Sequence, residues 1–243
     1  MIQALYTIKE NVALTELVYK MVLEGDTSAL TAPGQFVNLK LEGFYLRRPI
    51  SVCNISQDTL TIIYKAVGAG TEKMAAMTGG ERIPTLVGLG NGYDLSRSGD
   101  APLLIGGGAG VPPMYLLCKR LVSEGKHPTV ILGFGSSDEV FFKNEFEALG
   151  VRVIVTTVDG SEGIRGFVTN AMEDVEYTYF YTCGPEPMLR AVYDKSVTDG
   201  EFSFEERMGC GFGACMGCSC KTKYGNKRIC RDGPVLTKEE IIW

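Results

Sequence analysis

The sequence predicts a multi-domain chain of the β plus α/β class. An antiparallel β-barrel comes first, then a parallel-sheet α/β domain, then a small cysteine-bearing C-terminal domain. Three observations carry this reading. Residues 1–98 hold short runs rich in β-branched residues, separated by Gly, Asn, Asp and Pro, which is the pattern of a small antiparallel barrel. Residues 99–200 alternate strand-like and helix-like stretches, which argues for a parallel sheet with crossovers. Residues 201–243 hold five of the eight cysteines.

In the first domain, strands are expected over residues 4–9, 13–23, 35–41, 49–55 and 59–67, with a short helix over 71–77 across one end. In the second, strands are expected over 102–105, 129–134, 151–157 and 177–182, and helices over 114–123, 139–148, 167–173 and 187–196. The third is too small to fold well alone, so a bound metal would supply much of its stability.

The chain has 243 residues, 45% hydrophobic and 22% charged, which is ordinary for a globular protein. A net charge of −5 leaves no electrostatic footprint for nucleic acid. The most apolar stretch, residues 101–118, is broken by glycines and prolines, so no membrane span is expected. The N-terminus alternates like a strand and lacks a basic leader region. A cytoplasmic location is the expectation, and a secreted disulfide framework is not.

Cys210, Cys215 and Cys218 stand in a C-x4-C-x2-C arrangement, with Cys230 further on. This is the plant-type [2Fe–2S] spacing. Gly209, Gly211 and Gly213 interleave the first ligands and allow backbone N–H groups to face sulfur. Zinc and a disulfide set are the rival readings, and zinc sites usually pair short knuckles across a longer gap. Alternation after Cys218 places Cys220 on the other side of a short strand, as a packed thiol.

Four weaker motifs precede the cysteines. In Arg47-Arg48-Pro49-Ile50-Ser51, Arg48 fits a pyrophosphate and Ser51 a flavin ring; a solvated arginine is the alternative. Gly68-Ala69-Gly70-Thr71 is either an anion site at a helix start or a plain helix cap. The loop of residues 106–113, GGGAGVPP, lies where a dinucleotide pyrophosphate would meet a helix, without a clean G-x-G-x-x-G. Thr182-Cys183-Gly184-Pro185 ends the last strand of the domain, either at a ligand crevice or as a simple strand terminator.

In this order the motifs resemble the ferredoxin–NADP reductase family. Glu205-Glu206-Arg207-Met208-Gly209-Cys210-Gly211 and Cys230-Arg231-Asp232-Gly233-Pro234-Val235 further resemble the electron-transfer subunits of class 1B dihydroorotate dehydrogenases, over essentially the whole chain. One departure is Gly209, where that family often has Ala. The resemblance implies FAD on Arg48, Pro49, Ile50, Ser51, Ile63, Tyr64, Lys65, Gly70 and Thr71. It implies a [2Fe–2S] cluster on Cys210, Cys215, Cys218 and Cys230. It implies NAD between Gly106, Gly107, Gly108 and Gly110 on one side and Cys183, Gly184 and Pro185 on the other, with Cys183 near the nicotinamide or merely a strand-end thiol.

The implied role is to carry electrons from the FMN of a separate dihydroorotate-oxidising subunit, through the cluster and FAD, to NAD⁺ in pyrimidine (UMP) biosynthesis. The implied assembly is a heterotetramer of two plus two subunits. No acid–base catalyst is expected on this chain, and the single histidine, His127, reads as a surface residue. Asp159 and Glu162 at the expected adenosine-ribose position would repel a 2′-phosphate and favour NAD, with Arg165 nearby. The alternatives are an NAD(P)H-dependent ferredoxin or sulfur-compound reductase subunit, and a non-redox zinc-binding module. Trp243 either anchors the tail or meets a partner.

Overall fold

The computed structural model describes residues 1–243. Six strands close an antiparallel barrel: β1 (Ile2–Ala13), β2 (Val18–Glu24), β3 (Phe36–Leu39), β4 (Arg48–Ile55), β5 (Thr59–Lys65) and β6 (Arg82–Leu89), in the spatial order β1-β2-β5-β4-β3-β6. Alternation decides which side chains enter the core. Tyr6 and Ile8, Met21 and Leu23, Val37 and Leu39, and Leu60 and Ile62 share one buried cluster. Helix α1 (Ala69–Ala75) adds the fully buried Met74 to that core. Asn11 Nδ2 donates to the Met74 and Met77 carbonyls at 2.8 Å each. The first satisfies an end carbonyl of a helix too short to be stable alone, and the second ties down the chain just past it.

Two features of the barrel differ from the sequence expectation. Residues 13–23 are not one strand: β1 runs to Ala13, and Leu14 N–H donates to the Val18 carbonyl at 2.7 Å as the chain reverses. No Gly or Pro marks that turn, so the apolar pattern reads straight through it. Strand β6 is not among the expected strands, and Pro84 within it weakens any local strand signal. Pro84 nonetheless pairs with Leu5, and its carbonyl accepts from Lys40 N–H at 2.9 Å.

The second sheet contains β7 (Leu103–Gly107), β8 (Thr129–Phe134), β9 (Arg152–Thr157), β10 (Ile164–Arg165), β11 (Phe180–Cys183) and β12 (Gly200–Ser203). These strands are parallel, in the order β10-β9-β8-β7-β11-β12. Helices α2 (Val111–Ser123), α3 (Lys143–Glu147), α4 (Val168–Met172) and α5 (Glu186–Lys195) connect them. Helix α3 is shorter than expected. Phe142 takes a left-handed φ of 64° just before it, so that Phe141 and Phe142 both enter the core beside Phe134 and Phe146. Helix α2 joins the two sheets: its Leu116 belongs to the barrel core, while Val18, Cys53 and Ile63 of the barrel belong to the α/β core.

The cysteine segment holds a hairpin, β13 (Ser219–Thr222) with β14 (Gly225–Arg228), then helix α6 (Ile229–Asp232) and strand β15 (Val235–Thr237). It is not free of the second sheet. Strand β12 pairs with β11, and β15 returns antiparallel to β12 as the sheet's edge. Trp243 packs on Tyr193, Phe202 and Phe204, with ring centroids 6.1, 6.5 and 5.8 Å away, so it anchors the tail. Cys220 packs half-buried against the same core, and His127 is exposed. No helix is long and apolar enough to cross a membrane.

Glu201 on β12 is 3% exposed, and its Oε2 accepts the Asp94 N–H at 3.0 Å. Burial pushes its carboxyl up from 4.5 to about 7. The folded chain therefore holds this proton more tightly than the unfolded chain. The resulting stabilisation is complete below pH 4.5 and is lost as pH rises to about 7. A shift of this size corresponds to roughly 3 kcal/mol. Glu201→Gln is expected to be more stable than the parent at about pH 8 and to flatten the parent's decline from about pH 5. Urea midpoints at the two pH values check this, and an equally steep decline in the variant would refute it.

Candidate redox site

A cavity of about 280 Å³ opens on the barrel wall beside the second sheet. Seven of the residues expected at FAD meet there: Pro49, Ile50 and Ser51 from β4, Ile63, Tyr64 and Lys65 from β5, and Thr71 from α1. Tyr64 is held by its hydroxyl, 2.9 Å from Asn11 Oδ1, and its ring stacks on Tyr19 at 5.8 Å. Arg48 lies outside the lining. Its guanidinium sits 4.8 Å from the Phe44 ring centroid, donates to the Leu46 carbonyl at 2.6 Å, and covers Gly70. A Cβ on Gly70 would fall 2.1 Å from Arg48 Nε, so the two residues form one surface. The Thr71 hydroxyl is engaged by the N–H groups of Val67 and Gly68 at 3.1 and 3.3 Å. That is the helix-capping alternative, although Thr71 still borders the cavity.

The opposite wall was not anticipated. Ser203, Phe204, Glu205, Glu206 and Met208, from the stretch leading into the cysteines, complete the cavity. The sequence carries Glu205-Glu206-Arg207-Met208 only as part of the cysteine block. No local pattern says that this run faces the barrel.

A second cavity, of about 600 Å³, lies over the carboxyl ends of the parallel strands, where open α/β sheets bind ligands. Gly107 and Gly108 after β7, Gly133 and Gly135 around β8, Thr156 at β9, and Pro185 and Met188 after β11 line it. Lys65 and Ala109 border both cavities, so the two are contiguous. Gly106, Gly110 and Gly184 lie outside this lining and shape it through contacts. A Cβ on Gly110 would fall 2.1 Å from the Cys183 carbonyl oxygen, so only glycine lets this turn rest on the neighbouring strand end.

Cys183 is 1% exposed, and burial pushes its thiol up to about 12. It is a neutral packing group below the cavity and offers no thiolate. Asp159 follows Val158, which lines the cavity, on an exposed turn. Hydrogen bonds from the Ser161 hydroxyl and N–H, at 2.6 and 3.0 Å, hold its carboxyl below the ordinary range. Glu162 is paired with Lys143 at 2.9 Å, and the Arg165 side chain packs over Gly160, so this turn carries Asp159 with a positive residue beside it.

The four cysteines of the spacing motif come together as two pairs. Cys210 Sγ accepts the Ala214 and Cys215 N–H groups at 3.2 and 3.4 Å, and Cys215 Sγ accepts those of Cys210 and Gly217 at 3.4 and 3.5 Å. Cys218 Sγ accepts the Cys230 N–H at 3.4 Å. No three of these groups converge tightly on one point. Thiols with N–H groups aimed at sulfur are the donor set a [2Fe–2S] centre would take, and Cys210, Cys215, Cys218 and Cys230 are the residues that would hold it. Burial opposes ionisation of Cys210, but N–H donors from Phe212, Cys215 and Ala214 outweigh it and bring the thiol down to about 6. Burial pushes Cys230 up to about 12, so that thiol needs a metal to ionise near neutral pH.

Arg228 braces the loop, donating to the Gly213 carbonyl at 2.8 Å while pairing with Asp232 at 3.1 Å. Cys215 is exposed, and Phe212 and Met216 stand exposed near it.

A flavin-type barrel cavity, a contiguous nucleotide cavity and a cysteine loop beside them define a reductase of the ferredoxin reductase-like fold with an added iron–sulfur domain. Residues 104–194 match the oxidoreductase NAD-binding domain, and residues 205–242 match the iron–sulfur cluster binding domain of dihydroorotate dehydrogenase B. The dihydroorotate dehydrogenase B (NAD(+)) electron transfer subunit of Bacillus pumilus is 43% identical, covering 98% of each chain. That of Fusobacterium nucleatum is 41% identical, covering 97% of this chain and 96% of its own. A solved NADH-dependent reduced ferredoxin–NADP oxidoreductase superposes with a TM-score of 0.89 at 27% identity, covering 99% of this chain and 90% of that one. The chain belongs to the family of dihydroorotate dehydrogenase B electron transfer subunits.

Two substitutions check the assignments. Cys215→Ser is expected to lose most of the bound iron and the visible absorption of a cluster; full iron content in the purified variant would remove Cys215 from the ligand set. Arg48→Ala is expected to lower the FAD retained through purification. Unchanged flavin occupancy would show that the guanidinium does not reach the cofactor.

Proposed function

We propose that the chain relays electrons from the FMN of a separate dihydroorotate-oxidising subunit to NAD⁺, using a [2Fe–2S] cluster on Cys210, Cys215, Cys218 and Cys230 and FAD in the barrel cavity. The observation that carries this reading is serial contiguity. One short stretch, residues 203–208, walls the barrel cavity and leads directly into the first cluster ligand, while Lys65 and Ala109 join that cavity to the nucleotide cavity. FAD, when bound, converts between hydride exchange with a nicotinamide and the single-electron exchange of an iron–sulfur centre.

The chain's own residues bind, orient and exclude water. Ser51 and Tyr64 wall one side of the barrel cavity, and Phe204 and Met208 cover the other. Gly107, Gly108 and Pro185 would hold the nicotinamide nucleotide in the cavity that Lys65 and Ala109 join to the barrel cavity. Cys183, buried and neutral, packs beneath the glycine loop. Asp159 disfavours a 2′-phosphate by charge, which supports NAD over NADP. Dihydroorotate gives up two electrons and two protons on the partner subunit. NAD⁺ takes two electrons and one proton here, and the second proton goes to solvent.

The exposed Cys215, Phe212 and Met216 face suits a partner's docking surface. A two-plus-two heterotetramer in the cytoplasm is the assembly we favour. A second reading, an NAD(P)H-dependent ferredoxin or sulfur-compound reductase subunit, draws on the 0.89 superposition with the ferredoxin–NADP oxidoreductase.

Affinity capture of the tagged chain from its source cells distinguishes the two. Co-purification of an FMN protein, with dihydroorotate-dependent reduction of NAD⁺ by the eluate, is the expected result. A yellow-brown chain that oxidises NADH with an artificial acceptor, yet brings down no dihydroorotate oxidation, would move the partner to a ferredoxin or sulfur compound.

A further inference from the structure

Asn38 lines neither cavity and carries no thiol, yet it is placed between the two redox sites. It lies on β3, paired with Pro49 of β4, and Phe36 two residues earlier pairs with Ser51. Residues in such register share one face of the sheet. Phe36, Pro49 and Ser51 all border the barrel cavity, so Asn38 belongs to the outer face of that same wall. An asparagine on the outside of a barrel is ordinarily in water. Asn38 is 1% exposed, and what meets it is the cysteine loop.

Its Nδ2 donates to the carbonyl of Cys210 at 3.4 Å. The approach is close: Gly211 has a left-handed φ of 77°, and a Cβ there would fall 2.2 Å from Asn38 Nδ2. Behind it, Arg47 Nη1 donates to the carbonyls of Asn38 and Pro84 at 3.4 and 3.3 Å, which fixes β3 to β6 at this point. Asn38 Oδ1 is buried with no hydrogen-bond partner in the chain. A leucine of similar shape would avoid that cost. The amide is kept where packing alone would not choose it.

We propose that Asn38 is the positioning residue that seats the iron–sulfur cluster on the flavin barrel. It clamps the backbone of the first ligand, Cys210, to the strand that walls the flavin cavity two residues away. In doing so it sets the separation and relative orientation of the two redox groups. Asn38 acts through Cys210 and contacts no reacting atom. The inference rests on reading the four cysteines as cluster ligands.

The test compares the full-length parent with Asn38→Leu, which keeps the branching at Cγ and removes the donor at the cost of added bulk, and Asn38→His, which is also bulkier than asparagine but keeps an N–H donor, its Nδ1–H, at the same distance along the side chain. Iron content, the electron paramagnetic resonance spectrum of the reduced cluster, amide hydrogen exchange over residues 209–213, and stopped-flow reduction by NADH are read together. The hydride from NADH gives two electrons to the flavin; one then leaves the flavin for each one gained by the cluster. Asn38→Leu is expected to keep its flavin and its hydride step, shift the cluster's spectrum, exchange faster over 209–213, and slow the flavin-to-cluster phase roughly tenfold or more. Asn38→His is expected to restore the parent's spectrum.

A parent spectrum and parent exchange in Asn38→Leu would overturn the proposal. If Asn38→Leu holds no iron, recovery of iron with the parent's spectrum in Asn38→His supports the clamp, and loss in both overturns it. A parent chain without iron would instead defeat the ligand reading, which keeps the two failures apart.

Discussion

The arrangement of the molecule depends on one register: the parallel pairing of β11 with β12, in which Cys183 stands beside Ser203. Because β11 ends at the mouth of the nucleotide cavity, β12 must end there too. The chain that leaves β12 has nowhere to go but across the barrel cavity, and residues 203–208 become its outer wall. Strand β15 then returns against β12, so both ends of the cysteine segment are fastened to the same sheet. Asn91, just past the barrel's last strand, completes the fastening. Its side chain exchanges hydrogen bonds with the Val235 carbonyl and N–H at 2.8 and 3.1 Å, and its own N–H reaches the Gly233 carbonyl at 2.7 Å. A segment too small to bury a core of its own is thereby held between two larger ones.

The cysteines show how environment, not residue type, decides chemistry. Cys183 is buried with a thiol pushed up to about 12 and serves as neutral packing. Cys210 sits in a loop whose N–H groups turn toward sulfur, and its thiol comes down to about 6. The difference is made by backbone direction: left-handed Gly211 and Gly213, with Met216 at a φ of 61°, turn the amides of the loop inward. Burial pushes the Cys230 thiol up to about 12, so a metal held there would have to displace its proton.

Much of this was legible along the chain because it is local. Ligand spacing is a property of nearby residues, and so is the alternation that marks β3, β4 and β5. The glycine loop after β7 and the Cys-Gly-Pro turn after β11 were legible for the same reason. The reversal at residues 14–17 carries no turn residue, and β6 contains a proline, so local rules hid both. Helix α3 was overextended because the burial of Phe141 and Phe142 is decided by the sheet behind them.

The sequence by itself determined the three-part order of the chain, strands β3, β4 and β5 of the barrel and the spacing of the cysteines. Each of these follows from residue periods and spacings that short segments cannot escape. Only the tertiary structure decided that Phe204, Glu205 and Met208 close the barrel cavity, that Lys65 joins it to the cavity over the parallel strands, and that Asn38 touches the cysteine loop. Those are meetings between distant segments; Asn38 and Cys210 are 172 residues apart. Strand pairing sets such contacts through hydrogen bonds of the backbone, which every residue carries alike, so no side-chain pattern announces them.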